Sequence, residues 1–171
     1  MRMHCASQTR FFQRHWRRVE VGEADLFEVL EAAWPELECR GTPREFVDYW
    51  FANHSRLDPD VLALVDAWRS GGGKAYLATV QEHHRARYLW DVLMLQDHFD
   101  GMLYSAALGA KKPDAAFFER ALAQLPVTRP DEILFLDDRQ DNVDAANAAG
   151  WRAHLHASAD DLRQAIADAS D

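Results

Sequence analysis

The chain has 171 residues, 48% of them hydrophobic and including six Trp and nine Phe. That supply of large apolar side chains argues against disorder and suits one compact domain, or a smaller core with an appended subdomain. Its formal net charge is −9, from 28 acids against 19 Lys and Arg. A nucleic-acid binder usually shows a basic footprint, so no nucleic-acid partner is expected, and a small anionic substrate would have to be met by locally placed cations. No stretch approaches the ~18 apolar residues of a membrane span, and the N-terminus has charges and aromatics in place of a continuous apolar run. Cys5 and Cys39 form neither a CxxC pair nor a disulfide framework, which suits a reducing cytosol. The expectation is a soluble cytoplasmic protein without a membrane partner.

Residues 8–57 read as entirely helical. Arg10 to Arg18 carry four Arg and His15 around Phe11, Phe12 and Trp16; the pattern is that of a helix with aromatics packed inward and cations solvated. Leu26, Phe27, Val29, Leu30, Ala33 and Trp34 recur at helical spacing up to Pro35. Thr42-Pro43-Arg44-Glu45 is a capping box with proline at the first helical position, and Phe46, Val47, Trp50 and Phe51 follow on one stripe. Asp58-Pro59 starts a further helix with Val61, Leu62, Leu64, Val65 and Trp68, which Gly71-Gly72-Gly73 ends.

Strands and helices alternate from there. Residues 74–79 predict a strand and 82–95 a helix; 102–105 a strand and 114–125 a helix opened by Pro113. Residues 132–137 predict a third strand and 141–149 a helix stopped by Gly150. Arg152–Leu155 predicts a weaker strand, and 159–168 a closing helix after a Ser158 cap. This alternation predicts right-handed crossovers and a parallel sheet with helices on both faces. The whole reads as a helical subdomain, 8–57, followed by an α/β core, 58–171.

Three strand-end positions in the α/β part carry chemistry. Thr79 ends the first strand and offers a hydroxyl. Lys112, in a chain with only three Lys, stands just before Pro113 at a helix start, where free N–H groups and the dipole favour an anion. Asp137 and Asp138 end the third strand, where open α/β sheets hold their ligands. Adjacent acids repel unless a cation or a proton intervenes. A hydroxyl, an ammonium and a carboxylate pair at one sheet edge suit a phosphate and a hard divalent cation, Mg²⁺ by preference.

Leu77-Ala78-Thr79, Lys112-Pro113-Asp114, and the run Phe135-Leu136-Asp137-Asp138-Arg139-Gln140-Asp141-Asn142-Val143 on to Ala148-Ala149-Gly150-Trp151 together resemble the haloacid dehalogenase (HAD)-like hydrolase superfamily. These match its second, third and fourth motifs in order. The resemblance implies a Rossmann-like core with a small helical cap inserted after the first strand. It also implies Mg²⁺-dependent hydrolysis of a small phosphorylated metabolite through an aspartyl-phosphate. On this chain Thr79 would hydrogen-bond the phosphate, Lys112 would neutralise it and Asp138 would bind the metal. Asp137 and Asn142 would complete or orient the metal shell, and residues near Trp16, Arg17, Trp50 and Asn53 would shape the substrate pocket.

Two departures stand against this pattern. Val80 follows Thr79 where many relatives carry Asn. The first motif, an Asp-x-Asp on a strand before the cap, is absent; the one Asp-x-Asp here, Asp58-Pro59-Asp60, lies at a helix start. The first, central strand of the sheet is therefore expected to be missing. With about four buried aliphatic side chains, its loss removes roughly 6–12 kcal/mol, comparable with a whole domain's net stability of about 5–15 kcal/mol. The expectation is a truncated version of a longer protein, with residues 1–10 as a spurious leader, inactive as it stands. The alternatives are a 2-haloacid dehalogenase-like hydrolase and a degenerate, non-catalytic HAD-like binding module.

Four other features take structural readings. His83 and His84 are adjacent and so point about 100° apart on a helix, which suits a solvated first turn better than a metal site. His154 and His156 lack a third ligand. Lys111 is left to solvent, and Trp151 is expected to pack the sheet edge.

Overall fold

The computed structural model describes residues 8–37, 39–156 and 158–170. Residues 1–7 of the expected leader lie outside these, while 8–10 belong to the first helix. Three helices open the chain: α1 (Gln8–Glu20), α2 (Leu26–Ala33) and α3 (Pro43–Asn53). The local sequence accounts for their starts. Asp25 caps α2 by accepting from the Phe27 and Glu28 amides at 2.8 and 3.2 Å. Thr42 and Glu45 form the reciprocal capping box of α3, with Pro43 in its first turn. Helix α4 (Pro59–Ser70) is capped by Asp58, whose Oδ1 accepts from the Asp60 and Val61 amides. The chain then folds back under Trp68, whose indole donates to the Lys74 carbonyl at 3.0 Å. A Cβ on Gly73 would stand 2.2 Å from that indole, so only glycine fits the return.

Strand β1 (Tyr76–Thr79) pairs in parallel with β2 (Gly101–Tyr104), from Tyr76↔Gly101 to Thr79↔Tyr104. Strand β3 (Leu134–Asp137) pairs in parallel with β4 (Arg152–Leu155), from Leu134↔Arg152 to Asp137↔Leu155. Parallel pairing follows the expectation, but the four strands form two separate two-stranded ladders, not one sheet. All four residues of β1 are only half-buried, although Tyr-Leu-Ala-Thr is an apolar strand of the kind that parallel sheets cover on both faces. Helices α5 (His83–Arg87), α6 (Ser105–Leu108), α7 (Ala115–Leu122), α8 (Gln140–Ala148) and α9 (Ala159–Ser170) fill the connections and the end, with α4 packed against α9.

The helix expected over 82–95 is interrupted. After Arg87 it widens into a π-helical turn, Tyr88–Val92, closed by the Leu93 amide on the Tyr88 carbonyl at 3.1 Å. Met94, at φ +56°, then turns the backbone into a single 3-10 turn that buries Leu95. Periodicity cannot show such a change, because the apolar spacing survives it.

Two apolar clusters hold the molecule. In one, Phe118, Phe135 and Trp151 meet edge to face, with centroids 5.3 to 5.8 Å apart, and Trp151 packs the sheet as expected. In the other, Phe11, Val19, Leu26, Leu30, Leu37, Phe46, Val47 and Phe51 unite α1, α2 and α3. Polar ties join the two parts: Arg85 donates to the Phe51 and His54 carbonyls at 2.9 and 2.5 Å, and His84 meets Asp25 at 2.6 Å.

One expectation about the cysteines is corrected. Cys39 is disulfide-bonded, and Cys5 lies outside the described residues; this withdraws the support that unpaired thiols lent to a reducing compartment. Among the described residues no helix is long and apolar enough to cross a membrane.

Candidate active site

Lys112 stands where the carboxyl ends of β1 and β3 meet. Its ammonium donates to the Ala78 carbonyl at 2.7 Å and to Asp137 Oδ2 at 2.5 Å, 5.3 Å from the centre of the Phe135 ring. The lysine and aspartate side chains are only 8% and 6% exposed. Two charges so far out of water are tolerable only when paired and hydrogen-bonded. The rest of the carboxylate is satisfied too: Oδ1 accepts from Asn142 Nδ2 at 2.8 Å and from the Arg139 amide at 3.0 Å. Burial pushes the Asp137 carboxyl up, but the Lys112 and Asn142 hydrogen bonds, the Lys112 charge and the Arg139 amide outweigh it and hold the group below the ordinary carboxylate range.

Of the other expected residues, Asn142 touches this pair, and Thr79 and Asp138 adjoin Ala78 and Asp137 in the chain. Thr79 is the residue after Ala78 and ends β1, half-buried and in register with Tyr104. Asp138 follows Asp137 and is exposed. Arg139 turns outward to clasp Asp141, at 3.0 and 2.5 Å. Ala78, Lys112, Asp137 and Asn142 are thus joined by hydrogen bonds, and Thr79 and Asp138 adjoin them in the chain. Asp137, expected in a metal shell, has both oxygens engaged by protein groups.

The buried Asn142 side chain donates to Asp137, and its Oδ1 is left without a hydrogen-bond partner. An orphaned buried acceptor is what a hard cation would satisfy. The described residues hold no cluster of three or more His, Cys, Asp or Glu poised for a metal. Mg²⁺ needs no such cluster, since it keeps several waters and binds through one or two carboxylates and a substrate phosphate. The unpartnered Asn142 Oδ1 is an oxygen of the kind it takes.

Several expected placements change. Trp16 and Trp50 pack on each other at 5.5 Å within the helical cluster, Asn53 donates back to Tyr49 of its own helix at 2.8 Å, and Arg17 is exposed. His83 is exposed in the first turn of α5, with Nδ1 3.3 Å from the Tyr104 hydroxyl, whereas His84 is half-buried and reaches across to Asp25. Lys111 is not left to solvent but meets Glu20 at 2.5 Å. Sequence reasoning also missed Glu82, 1% exposed, which caps α5 through the His84 and Arg85 amides. Burial raises its carboxyl above the ordinary value despite those amides. Glu is not a preferred N-cap residue, so the sequence carried no signal for it.

The comparisons with known proteins show the family and the fold. The family model for haloacid dehalogenase-like hydrolases matches residues 4–150. Sesquiterpene phosphatase astK of Aspergillus oryzae is 35% identical over 101 residues, 56% of this chain and 48% of that protein. Phosphatase MT3486 of Mycobacterium tuberculosis is 33% identical over 132 residues, 76% and 60% of the two chains. The chain thus spans about half the length of the curated relatives it matches. Among solved structures, the HAD family enzyme bt-2542 from Bacteroides thetaiotaomicron superposes with a TM-score of 0.76 at 15% identity, covering 88% of this chain and 76% of its own. The same wild-type enzyme has been solved in complex with magnesium and inorganic phosphate.

Proposed function

The chain belongs to the haloacid dehalogenase-like hydrolase family, and on that premise we propose that it carries the phosphate- and magnesium-binding half of a phosphatase site for a small phosphorylated metabolite. The observation that carries this reading is the Lys112 ammonium held at the joined tips of β1 and β3 by Ala78 and Asp137. A buried cation there neutralises a phosphoryl oxygen in a setting of low dielectric, where it acts more strongly than in water. The Thr79 hydroxyl would donate to a second oxygen, and Asp138 and Asn142 would hold Mg²⁺. The metal, when bound, spreads the negative charge that builds on the phosphoryl group. Asp137 keeps the ammonium in place. Residues 8–57 act as a cap over a core formed by 58–171.

Covalent hydrolysis also needs a free carboxylate in line with phosphorus. Asp137 is fully engaged, and Asp58 spends its Oδ1 on the first turn of α4. We therefore propose that these 171 residues bind phosphate without turning over its esters. Mg²⁺-dependent hydrolysis of an aryl phosphate tests this: the expected rate is that of buffer, and turnover abolished by Asp138→Ala would overturn it.

A further inference from the structure

The turn that carries Lys112 is gripped from the helical part of the molecule. Lys111 Nζ donates to Glu20 Oε1 at 2.5 Å, with the glutamate side chain only 9% exposed. Glu20 is the last residue of α1, and its own carbonyl accepts from the fully buried Ser105 hydroxyl at 2.5 Å. Two residues on, Gly22 sits at φ +75° so close to α6 that a Cβ would stand 2.4 Å from the Ala106 carbonyl. The end of α1 is therefore fixed against the segments that follow β1 and β2. On the other side, the Lys111 carbonyl accepts from the Asp114 amide at 2.8 Å, which closes a turn around Lys112 and Pro113. The first residue of that turn is thus tied to α1, while the ammonium of its second residue is tied to β1 and β3.

We propose that Glu20 is a positioning residue for the Lys112 ammonium, acting through Lys111. Its carboxylate fixes the backbone from which Lys112 reaches Ala78 and Asp137. It also neutralises the neighbouring ammonium and draws it away, so that one lysine of the adjacent pair faces the sheet tips and the other does not. The helical part of the chain thereby has a direct mechanical hold on the anion-binding cation. That this cation meets phosphate rests on the function proposed above; the mechanical link does not.

The test reads Lys112 itself. The full 171-residue protein is reductively methylated under limiting reagent, well below its unfolding midpoint, and labelling of each lysine is followed by mass spectrometry. Glu20→Gln is expected to raise the rate at Lys112 about tenfold, the scale of losing one charge-assisted hydrogen bond at a partly exposed site. Lys111→Met is expected to do the same, the double variant to add nothing further, and Lys74 to label as before. Should Glu20→Gln fail to fold, Lys111→Met breaks the same link and decides alone. A lower unfolding midpoint with Lys112 as protected as in the parent would overturn the inference, because the pair would then only staple two parts together. Titration with inorganic phosphate and Mg²⁺ separates the two proposals: absence of binding to the parent protein counts against the phosphatase reading, while the labelling result still decides the role of Glu20.

Discussion

The Lys112 ammonium and the Asp137 carboxylate lie 2.5 Å apart with each side chain more than nine-tenths buried, so neither charge has bulk water to fall back on. Truncating one partner leaves the other uncompensated, which in buried pairs costs about 3–5 kcal/mol. Lys112→Met is therefore expected to lower unfolding free energy by that amount in a denaturant titration. A loss below about 1 kcal/mol would mean that the carboxylate finds other compensation.

Phe118 is fully buried and meets the rings of Phe117, Phe135 and Trp151. Phe118→Ala opens a cavity shared by α7, β3 and the segment after α8, and is expected to destabilise by about 3–5 kcal/mol. Thermal unfolding checks this; a small change would show that the ring trio relaxes into the space.

Asp100 ties the start of β1 together, accepting from the Ala75 amide at 3.0 Å, Lys74 Nζ at 3.1 Å and Arg69 Nε at 3.1 Å. The Ala75 amide is the largest cause and burial, ranking next, opposes it; the Lys74 and Arg69 cations add to the lowering, and the carboxyl falls to about 2. A folded value below the unfolded one, ordinarily near 3.9, contributes stability that is complete above about pH 4 and lost as pH falls toward about 2. Asp100→Asn is expected to be less stable than the parent at neutral pH, with the difference closing across that window. Stability curves for the two proteins that stay parallel below pH 4 would contradict it. Asp137, also lowered, adds to the same acid limb.

Asp138 is exposed, so its carboxylate can be neutralised without disturbing the core. Asp138→Asn is expected to weaken Mg²⁺ binding at least about tenfold while changing stability by no more than about 0.5 kcal/mol. Unchanged Mg²⁺ affinity by calorimetry would remove Asp138 from the metal site.

Local chemistry was legible in the sequence wherever it is spent locally. The Thr42–Glu45 box, the Asp58 cap and the strand ends at Thr79 and Asp137 follow from motif and pattern. Contacts across long separations were not. Nothing in the neighbourhood of Lys111 announces Glu20, 91 residues away, nor does His84 announce Asp25, 59 residues away. The division into two ladders accords with a parallel sheet expected without its central strand.

Calorimetric titration of inorganic phosphate tests most directly whether Thr79, Lys112, Asp138 and Asn142 form one anion-and-magnesium pocket. The expected result is binding that strengthens at least about tenfold in saturating Mg²⁺ and loses that gain in Asp138→Asn, whose fold should be intact. Phosphate affinity indifferent to both Mg²⁺ and Asp138→Asn would contradict it.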